Sequence, residues 1–259
     1  MSLIDFKKEN GVARIALNRP DVFNSFNREM ALAVIDALDD AAADDNVRCV
    51  VLTGNGKAFC AGQDLNEAID PNNGITFEVI LNEHYNPIVR RIRNIEKPVI
   101  AAVNGVAAGA GANIAFACDF AVASYKASFT QAFSKIGLVP DSGGTFFLPR
   151  LVGLQRATAL MMLSDKLSAQ EAESIGLIYK AVDEENFQNF VAELASRLAQ
   201  MPTKALGMTK KLINAGFNNN FDQQLDMEGA YQVVAGESYD YKEGVNAFLE
   251  KRKPVFEGK

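Results

Sequence analysis

The first part of the chain shows apolar runs and alternating segments that predict a sheet connected by helices. Two short alternating runs flank Asn10-Gly11 in DFKKENGVARIALN, and this dipeptide favours the tight turn of a β-hairpin. Compact apolar runs predict buried parallel strands at VRCVVLTG, PVIAAVNG, DFAVAS and LIYKAV. Helical spacing falls between them, at residues 27–43, 76–94, 109–117 and 145–163 with a break near Gly153. Alternation of strands and helices predicts parallel pairing in an α/β core.

After about residue 184 the apolar positions follow helical spacing only. Amphipathic helices are predicted over residues 186–200, 203–215, 221–235 and 240–251. Helices that follow a complete sheet suit a cap or a contact between subunits. The predicted division is therefore an α/β core over residues 1–184 and a helical region over residues 185–259.

Charge and composition restrict the classes of partner. The 259-residue chain has a net charge of −6, which disfavours nucleic acid and anionic membranes. Its apolar runs are shorter than the roughly 18–20 residues of a membrane helix, and MSLIDFKKENG lacks a signal-peptide pattern. Cys49, Cys60 and Cys118 are widely spaced, which predicts buried free thiols in a reducing compartment. We expect a cytoplasmic protein.

Several common catalytic and metal-binding patterns are missing from the sequence. His84 is the only histidine, and its polar neighbours in LNEHYNP predict a surface position. There is no G-x-S-x-G around a serine, no phosphate loop and no C-x-x-C, which disfavours a hydrolase of that type and structural zinc. A serine peptidase with a spiral fold stays as an alternative that would depend on His84.

Two glycine-containing turns follow predicted strands and precede predicted helices. In VNGVAAGAGANIAFACD the pair Gly109 and Gly111 matches a dinucleotide fingerprint only weakly, because Ile114 occupies the third glycine position. Close packing of a buried helix and free N–H groups at a helix start are the other interpretations. The second turn is GKAFCAGQDL, in which Asp64 is interpreted as a cap or loop anchor. Two convergent N–H donors suit the enolate of a thioester.

An isolated acid, Asp141, stands in the apolar segment GLVPDSGGTFFLPR. One interpretation makes it the N-cap of the following helix, since aspartate favours that position. The other makes it a base, because apolar surroundings raise the pKa of a carboxyl group. The sequence alone favours the cap, although one residue can serve both roles.

Five segments, taken together and in order, resemble the crotonase (enoyl-CoA hydratase/isomerase) superfamily over nearly the whole chain. They are NRPDVFNSF, GKAFCAGQDL, PVIAAVNGVAAGAGANIAFACDF, ASFTQAFSKIGLVPDSGGTFFLPRLVG and EGVNAFLEKRKPVF. The resemblance implies a spiral of β-β-α units with C-terminal helices that build trimers, often paired into hexamers. It also implies an acyl-CoA thioester as ligand, with coenzyme A as part of the substrate and no separate cofactor or metal.

The resemblance implies a role for individual residues. The N–H groups of Gln63 and Ala110 correspond to the family's two oxyanion donors, and most members have glycine at the second position. Asp141 corresponds to the acid that isomerases use. Further positions correspond to the channel for substrate and coenzyme A or to a contact from a neighbouring subunit, namely Asp21, Val22, Phe23, Ala61, Gly62, Asp64, Leu65, Gly109, Gly111, Asn113, Phe133, Phe248 and Lys251. Residues 76–94 and the loop at 71–74 are expected to shape the acyl pocket.

Asn113 and Phe133 occupy the positions of the two glutamates that hold water in the family's hydratases. Neither side chain can activate water or protonate carbon, which argues against hydration. Asn113 either holds a polar group of the substrate or fills the former glutamate site. YNPIVRRI, VNGVAAGAGA, AFSKIGLVPDSGGT and GTFFLPRLVG resemble the ring 1,2-epoxyphenylacetyl-CoA isomerases. We expect an isomerase, with a hydratase or a non-catalytic CoA-binding protein as alternatives.

Overall fold

The computed structural model describes residues 2–70 and 72–259, so Met1 of the predicted core and Pro71 of the predicted acyl-pocket loop lie outside the described residues. The strands are β1 (Ile4–Glu9), β2 (Val12–Leu17), β3 (Cys49–Gly54), β4 (Ala58–Cys60), β5 (Val99–Val103), β6 (Val106–Ala108), β7 (Phe120–Ser124), β8 (Ser128–Thr130), β9 (Leu167–Ser168) and β10 (Lys180–Val182). The helices are α1 (Arg28–Ala43), α2 (Leu65–Ile69), α3 (Phe77–Val79), α4 (Asn86–Asn94), α5 (Ala110–Ala117), α6 (Gly144–Val152), α7 (Leu154–Leu163), α8 (Ala169–Ser174), α9 (Glu184–Ala199), α10 (Thr203–Gly216), α11 (Phe221–Gly236) and α12 (Tyr239–Leu249). Single turns complete the list, with 3₁₀ geometry at Pro20–Val22 and Ala132–Ile136 and π geometry at Ile80–Tyr85.

Within the described residues, the ten strands form two separate sheets. The larger has the order β1-β2-β3-β5-β7-β10, and the smaller has the order β4-β6-β8-β9. The four apolar runs predicted as parallel strands are β3, β5, β7 and β10, and they are neighbours in the larger sheet with parallel pairing. The hairpin prediction is also confirmed, since β1 and β2 pair antiparallel across Asn10-Gly11.

Each turn of the chain contributes one strand to each sheet and then a helix. β3 and β4 precede α2, β5 and β6 precede α5, and β7 and β8 precede α6. This repetition is the predicted spiral of β-β-α units. Because β4 pairs with β6, the turn that leaves β4 lies beside the turn that leaves β6. The fold therefore brings the two glycine-containing turns together.

The larger sheet is covered on both faces. Alternate residues of β3 point to opposite sides, with Val50 and Leu52 in one core and Cys49 and Val51 in the other. The second core includes the buried face of α9, so α9 packs on the sheet although the prediction placed it in the C-terminal region. In contrast, α11 has no buried residue in this single chain.

The predicted burial of the three cysteines is confirmed. Cys49, Cys60 and Cys118 are buried and form no disulfide. Burial raises the pKa of each thiol to about 12, so they stay protonated at neutral pH. Across residues 2–70 and 72–259, we find no helix with the length and apolar character to cross a membrane.

Gly111 fixes how closely α5 approaches β4, and its replacement should be costly. A Cβ at Gly111 would lie 2.4 Å from the carbonyl oxygen of Cys60 and 2.7 Å from its Sγ. We expect Gly111→Ala to lower the free energy of unfolding by about 1–3 kcal/mol through overpacking. Gly229→Ala in α11 is the matched control, because nothing lies within 4 Å of its Cβ position. Helix propensity predicts that this control gains up to about 1 kcal/mol. Equal changes in urea unfolding would contradict the packing role.

Candidate active site

The turns after β4 and β6 are in direct contact at Gly62. This residue has φ of +96°, and a Cβ there would lie 3.1 Å from the carbonyl oxygen of Ala108 and 3.6 Å from the nitrogen of Ala110. A side chain at position 62 would therefore be strained and would push the two turns apart. The absence of that side chain lets Gln63 and Ala110 lie on facing turns.

The N–H groups of Gln63 and Ala110 are free to bind a ligand. Phe26 and Gln63 form an isolated parallel β-bridge, but its hydrogen bonds use the residues on either side of Gln63. Phe26 N–H donates to the Gly62 carbonyl oxygen at 2.7 Å, and Asp64 N–H donates to the Phe26 carbonyl oxygen at 2.8 Å. Ala110 is the first residue of α5, where an N–H has no intrahelical acceptor. Among the described residues, neither N–H donates a hydrogen bond to the protein.

Alanine at position 110 is compatible with this geometry. Ala110 has helical backbone angles, which alanine adopts readily. The unusual angles belong to the preceding residue, Gly109, with φ of +52° and ψ of −127°. The glycine that the turn needs is therefore at 109, and the donor at 110 does not depend on one.

A cavity of about 220 Å³ joins both donor turns to Asp141. Its polar side chains are Gln63, Tyr85, Lys135 and Asp141, and no other acid lines it within residues 2–70 and 72–259. The rest of the lining is mainly apolar or small, with Ala61, Gly62, Leu65, Ala68, Phe77, Ile80, Gly109, Ala110, Ala132, Phe133, Ile136 and Leu138. Phe77, Ile80 and Tyr85 come from the segment that was expected to shape an acyl pocket.

Asp141 is a partly buried carboxyl group that accepts a hydrogen bond from the Ser142 hydroxyl. Burial raises its pKa above the ordinary value, while the hydrogen bond from Ser142 Oγ to Oδ1, at 2.8 Å, opposes that rise. The interpretation of Asp141 as an N-cap is wrong. Helix α6 begins at Gly144 with Gly143 as its cap residue, and no side chain caps it. Ser142 and Gly143 both have positive φ, so the chain turns sharply and directs the Asp141 side chain into the cavity instead.

Phe133 and Asn113, which correspond to the two glutamates of hydratases, lie in different environments. Phe133 lines the cavity, whereas Asn113 is fully buried and lies behind the cavity wall. Asn113 Nδ2 donates to the carbonyl oxygen of Asp141 at 2.9 Å, and its Oδ1 accepts from Gln131 Nε2 at 2.8 Å. The side chain of Asn113 therefore contacts the loop of Asp141 rather than the space for a ligand.

Tyr85 and Glu67 were not identified from the sequence, and they hold the side chain of Gln63. Tyr85 donates its hydroxyl to Gln63 Oε1 at 3.0 Å, and Gln63 Nε2 donates to Glu67 Oε2 at 3.0 Å. Burial raises the pKa of Tyr85 well above its ordinary value, so the hydroxyl stays a donor. The sequence contained no signal for this network, because its members are brought together only by the fold.

The prediction that His84 lies on the surface is wrong. His84 is fully buried, and its Nε2 is 3.4 Å from Arg28 Nη1. The π turn at Ile80–Tyr85 explains the error, because wider i→i+5 bonding changes which residues face inward. Burial and the Arg28 charge lower the pKa of His84. It does not line the cavity, and within the described chain no hydrogen bond joins it to a serine.

The other predicted binding residues lie outside the cavity lining. Asp21, Val22 and Phe23 are exposed, and the Phe23 carbonyl accepts the N–H of Ala61 at 3.0 Å, which places this loop against the donor turn. Asp64 caps α2 and pairs with Arg19 at 2.8 Å, as the cap interpretation predicted. Positions that neither line the cavity nor contact its turns are Phe248, which is 82% exposed, and Lys251, which follows α12.

A β-β-α spiral whose cavity joins two free N–H donors to a carboxyl group suits an enzyme that stabilises the enolate of a thioester. The chain belongs to the enoyl-CoA hydratase/isomerase family, whose model matches residues 7–259.

Particular relatives include both isomerases and hydratases. The 1,2-epoxyphenylacetyl-CoA isomerase of Escherichia coli K12 is 48% identical over 97% of this chain and 97% of its own. A probable enoyl-CoA hydratase of Rhodobacter capsulatus is 43% identical over 99% of this chain and 98% of its own. Among solved structures, a putative enoyl-CoA hydratase/isomerase from Mycobacterium abscessus superposes with a TM-score of 0.93 at 37% identity, covering 99% of this chain and 100% of that one.

Proposed function

We propose that this protein is an acyl-CoA isomerase with Asp141 as its single base. The proposal is based on the cavity and its polar groups. Within residues 2–70 and 72–259, Asp141 is the one acid that lines this cavity, and the cavity also contains two free N–H donors. The thioester carbonyl would accept hydrogen bonds from Gln63 and Ala110. Negative charge that develops on its oxygen would then be stabilised by dipoles that are already in place.

Proton transfer by one carboxyl group accounts for double-bond migration. The Asp141 carboxylate removes a proton from C2 of a 3-enoyl thioester, and the electron pair moves into a dienolate held by the two N–H groups. The protonated Asp141 then returns the proton to C4, which leaves the double bond between C2 and C3. The carboxyl group ends in its starting state, so neither water nor a redox partner is consumed.

An aromatic epoxide is the proposed alternative or additional substrate. The Escherichia coli relative is named for 1,2-epoxyphenylacetyl-CoA, and the cavity has apolar walls from Phe77, Ile80 and Phe133 that suit a ring. Rearrangement of the strained epoxide would give the seven-membered oxepin thioester. We also propose that the chain assembles into trimers or pairs of trimers. In this assembly, Phe248 and Lys251 of one subunit would reach the ligand of a neighbouring subunit.

Hydration is the competing function, because one of the relatives above is named as a probable hydratase. A hydratase has to activate water and protonate carbon, which two carboxyl groups share. In this cavity Phe133 provides no polar group, and Asn113 lies behind the wall with its amide engaged. These observations favour isomerisation.

Product analysis in deuterated water separates the two functions. A 3-enoyl-CoA and a 2-enoyl-CoA are incubated separately with the protein and followed by mass spectrometry. We expect migration of the double bond and no gain of water, with deuterium in the product only where the protonated Asp141 exchanges with solvent before it returns the proton. The epoxide thioester is then the next substrate. Accumulation of 3-hydroxyacyl-CoA from the 2-enoyl substrate would reject the single-base mechanism.

The pH dependence of the rate should report the raised pKa of Asp141. Only the carboxylate can remove a proton, so kcat/KM should fall as the pH decreases through this pKa. Because burial raises the value, we expect the acid limb above the usual aspartate pKa of about 3.9. A pH profile on a 3-enoyl-CoA measures it. An acid limb at the unperturbed value would show that the base is exposed to solvent.

A further inference from the structure

Asn113 links the loop that carries the base to the helix that carries an oxyanion donor. It lies one helical turn after Ala110 on α5, and its Nδ2 donates to the carbonyl oxygen of Asp141 at 2.9 Å. That same oxygen accepts the N–H of Gly144 at 2.8 Å. The peptide of Asp141 is thus tied both to its own turn and to α5.

The amide of Asn113 is held from two further sides. Gln131 Nε2 donates to its Oδ1 at 2.8 Å, which fixes the orientation of the amide. On the other side, a Cβ at Gly144 would lie 2.3 Å from Asn113 Nδ2, so glycine leaves the space that the amide fills. With its side chain fully buried, Asn113 has no surface to offer a substrate. The amide is oriented toward the loop alone.

We infer that Asn113 is a positioning residue that sets the distance between the Asp141 base and the donor N–H of Ala110. This inference rests on the proposed function, because it assigns Asn113 to the same reaction. Proton transfer to a carboxylate needs hydrogen-bond geometry, and a displacement of about 1 Å can cost about 10²-fold in rate. A side chain that joins the two catalytic segments directly can supply that accuracy.

Ser142 supports Asp141 in a different way, which makes the inference testable. Ser142 Oγ donates to the carboxylate itself, so it affects the charge state of Asp141. Asn113 donates to the main-chain carbonyl, which does not titrate. The other titratable groups on the cavity wall are Tyr85 and Lys135, and neither is among the hydrogen-bond partners of the Asn113 side chain, which are Asp141 and Gln131. Loss of Asn113 should change the rate without changing the pKa, and loss of the Ser142 hydroxyl should change the pKa.

Asn113→Leu removes the donor while keeping a side chain of similar size. We expect kcat to fall about 10–10²-fold, with the Kd for a saturated acyl-CoA within about threefold of wild type and an unchanged acid limb. Ser142→Ala should instead move the acid limb to higher pH. In the wild type the hydrogen bond from Ser142 lowers the pKa of Asp141, so its removal should raise that pKa. Thr53→Val is the matched stability control, because buried Thr53 donates to the Ala102 carbonyl at 2.8 Å and does not line the cavity that holds Asp141. It should lower stability without lowering kcat.

The exchange of C2 protons of a saturated acyl-CoA in deuterated water is the second readout. This exchange needs the base and the donors but no migration of a double bond. If wild type exchanges protons without isomerising, the proposed function fails, while the effect of Asn113→Leu on exchange still tests the positioning role. An Asn113→Leu protein that keeps wild-type exchange and kcat would overturn the inference. A raised Kd at unchanged kcat would also overturn it, because that result marks a substrate contact.

Discussion

Replacement of Asp141 by asparagine should lower kcat for double-bond migration by about 10²–10⁴-fold, the range that a positioned acid–base group contributes. Asparagine keeps the shape of the side chain and can keep the hydrogen bond from Ser142, but it cannot accept a proton from carbon. The loss should therefore appear in kcat, while the Kd for a saturated acyl-CoA stays near the wild-type value. Steady-state kinetics and calorimetric titration measure the two quantities.

The same substitution should also raise the melting temperature. A carboxyl group whose pKa is raised by burial destabilises the folded protein at neutral pH, where it must be charged. Asparagine removes that charge. Asp165→Asn, at an exposed position, is the control and should change neither rate nor stability. Full activity in Asp141→Asn would discard the single-base mechanism, and an unfolded variant would mark Asp141 as structural.

Removal of the Ala110 N–H should cost about 10²–10³-fold in kcat, as for other single oxyanion donors. Proline accomplishes this, because it lacks the N–H and is tolerated at the first position of a helix. Gly109 precedes it and has no Cβ to clash with the ring. We therefore expect Ala110→Pro to fold with α5 intact but to lose turnover, which circular dichroism and kinetics would check together.

Ala110→Gly provides the matched control for this donor. It keeps the N–H and removes only the Cβ of a buried residue, so the rate should stay within a few-fold of wild type despite a small loss of helix propensity. If glycine and proline reduce the rate equally, the Cβ matters rather than the N–H. If neither reduces it, the carbonyl of the substrate does not bind at this turn.

The sequence predicted the parts of the fold that local pattern controls. Asn10 and Gly11 both adopt positive φ, of 52° and 79°, which is the conformation that made this dipeptide a hairpin signal. The buried strands were recognisable because both of their faces are covered, so nearly every residue is apolar. The two N–H donors could also be predicted from the sequence, because each lies where a predicted strand leads through a glycine-containing turn into a predicted helix.

What the sequence could not predict depends on contacts between distant residues. Asn113 and Asp141 are 28 positions apart and Tyr85 and Gln63 are 22 apart, and no local pattern records that they meet. The burial of His84 required knowledge of a π turn, which shifts the helical phase without an obvious sequence signal. The cap assigned to Asp141 failed because two successive residues with positive φ, Ser142 and Gly143, delay the start of α6.

Gly144 limits how this site could be redesigned for other reactions. In the proposed mechanism the donors belong to the backbone and are unaffected by most substitutions, whereas proton transfer depends on the side chain at 141. A longer acid at position 113 would have to share the space next to Gly144, where a Cβ would already lie 2.3 Å from the Asn113 amide. Placing a second carboxyl group at position 113 therefore requires the loop of residues 141–144 to be rebuilt with it.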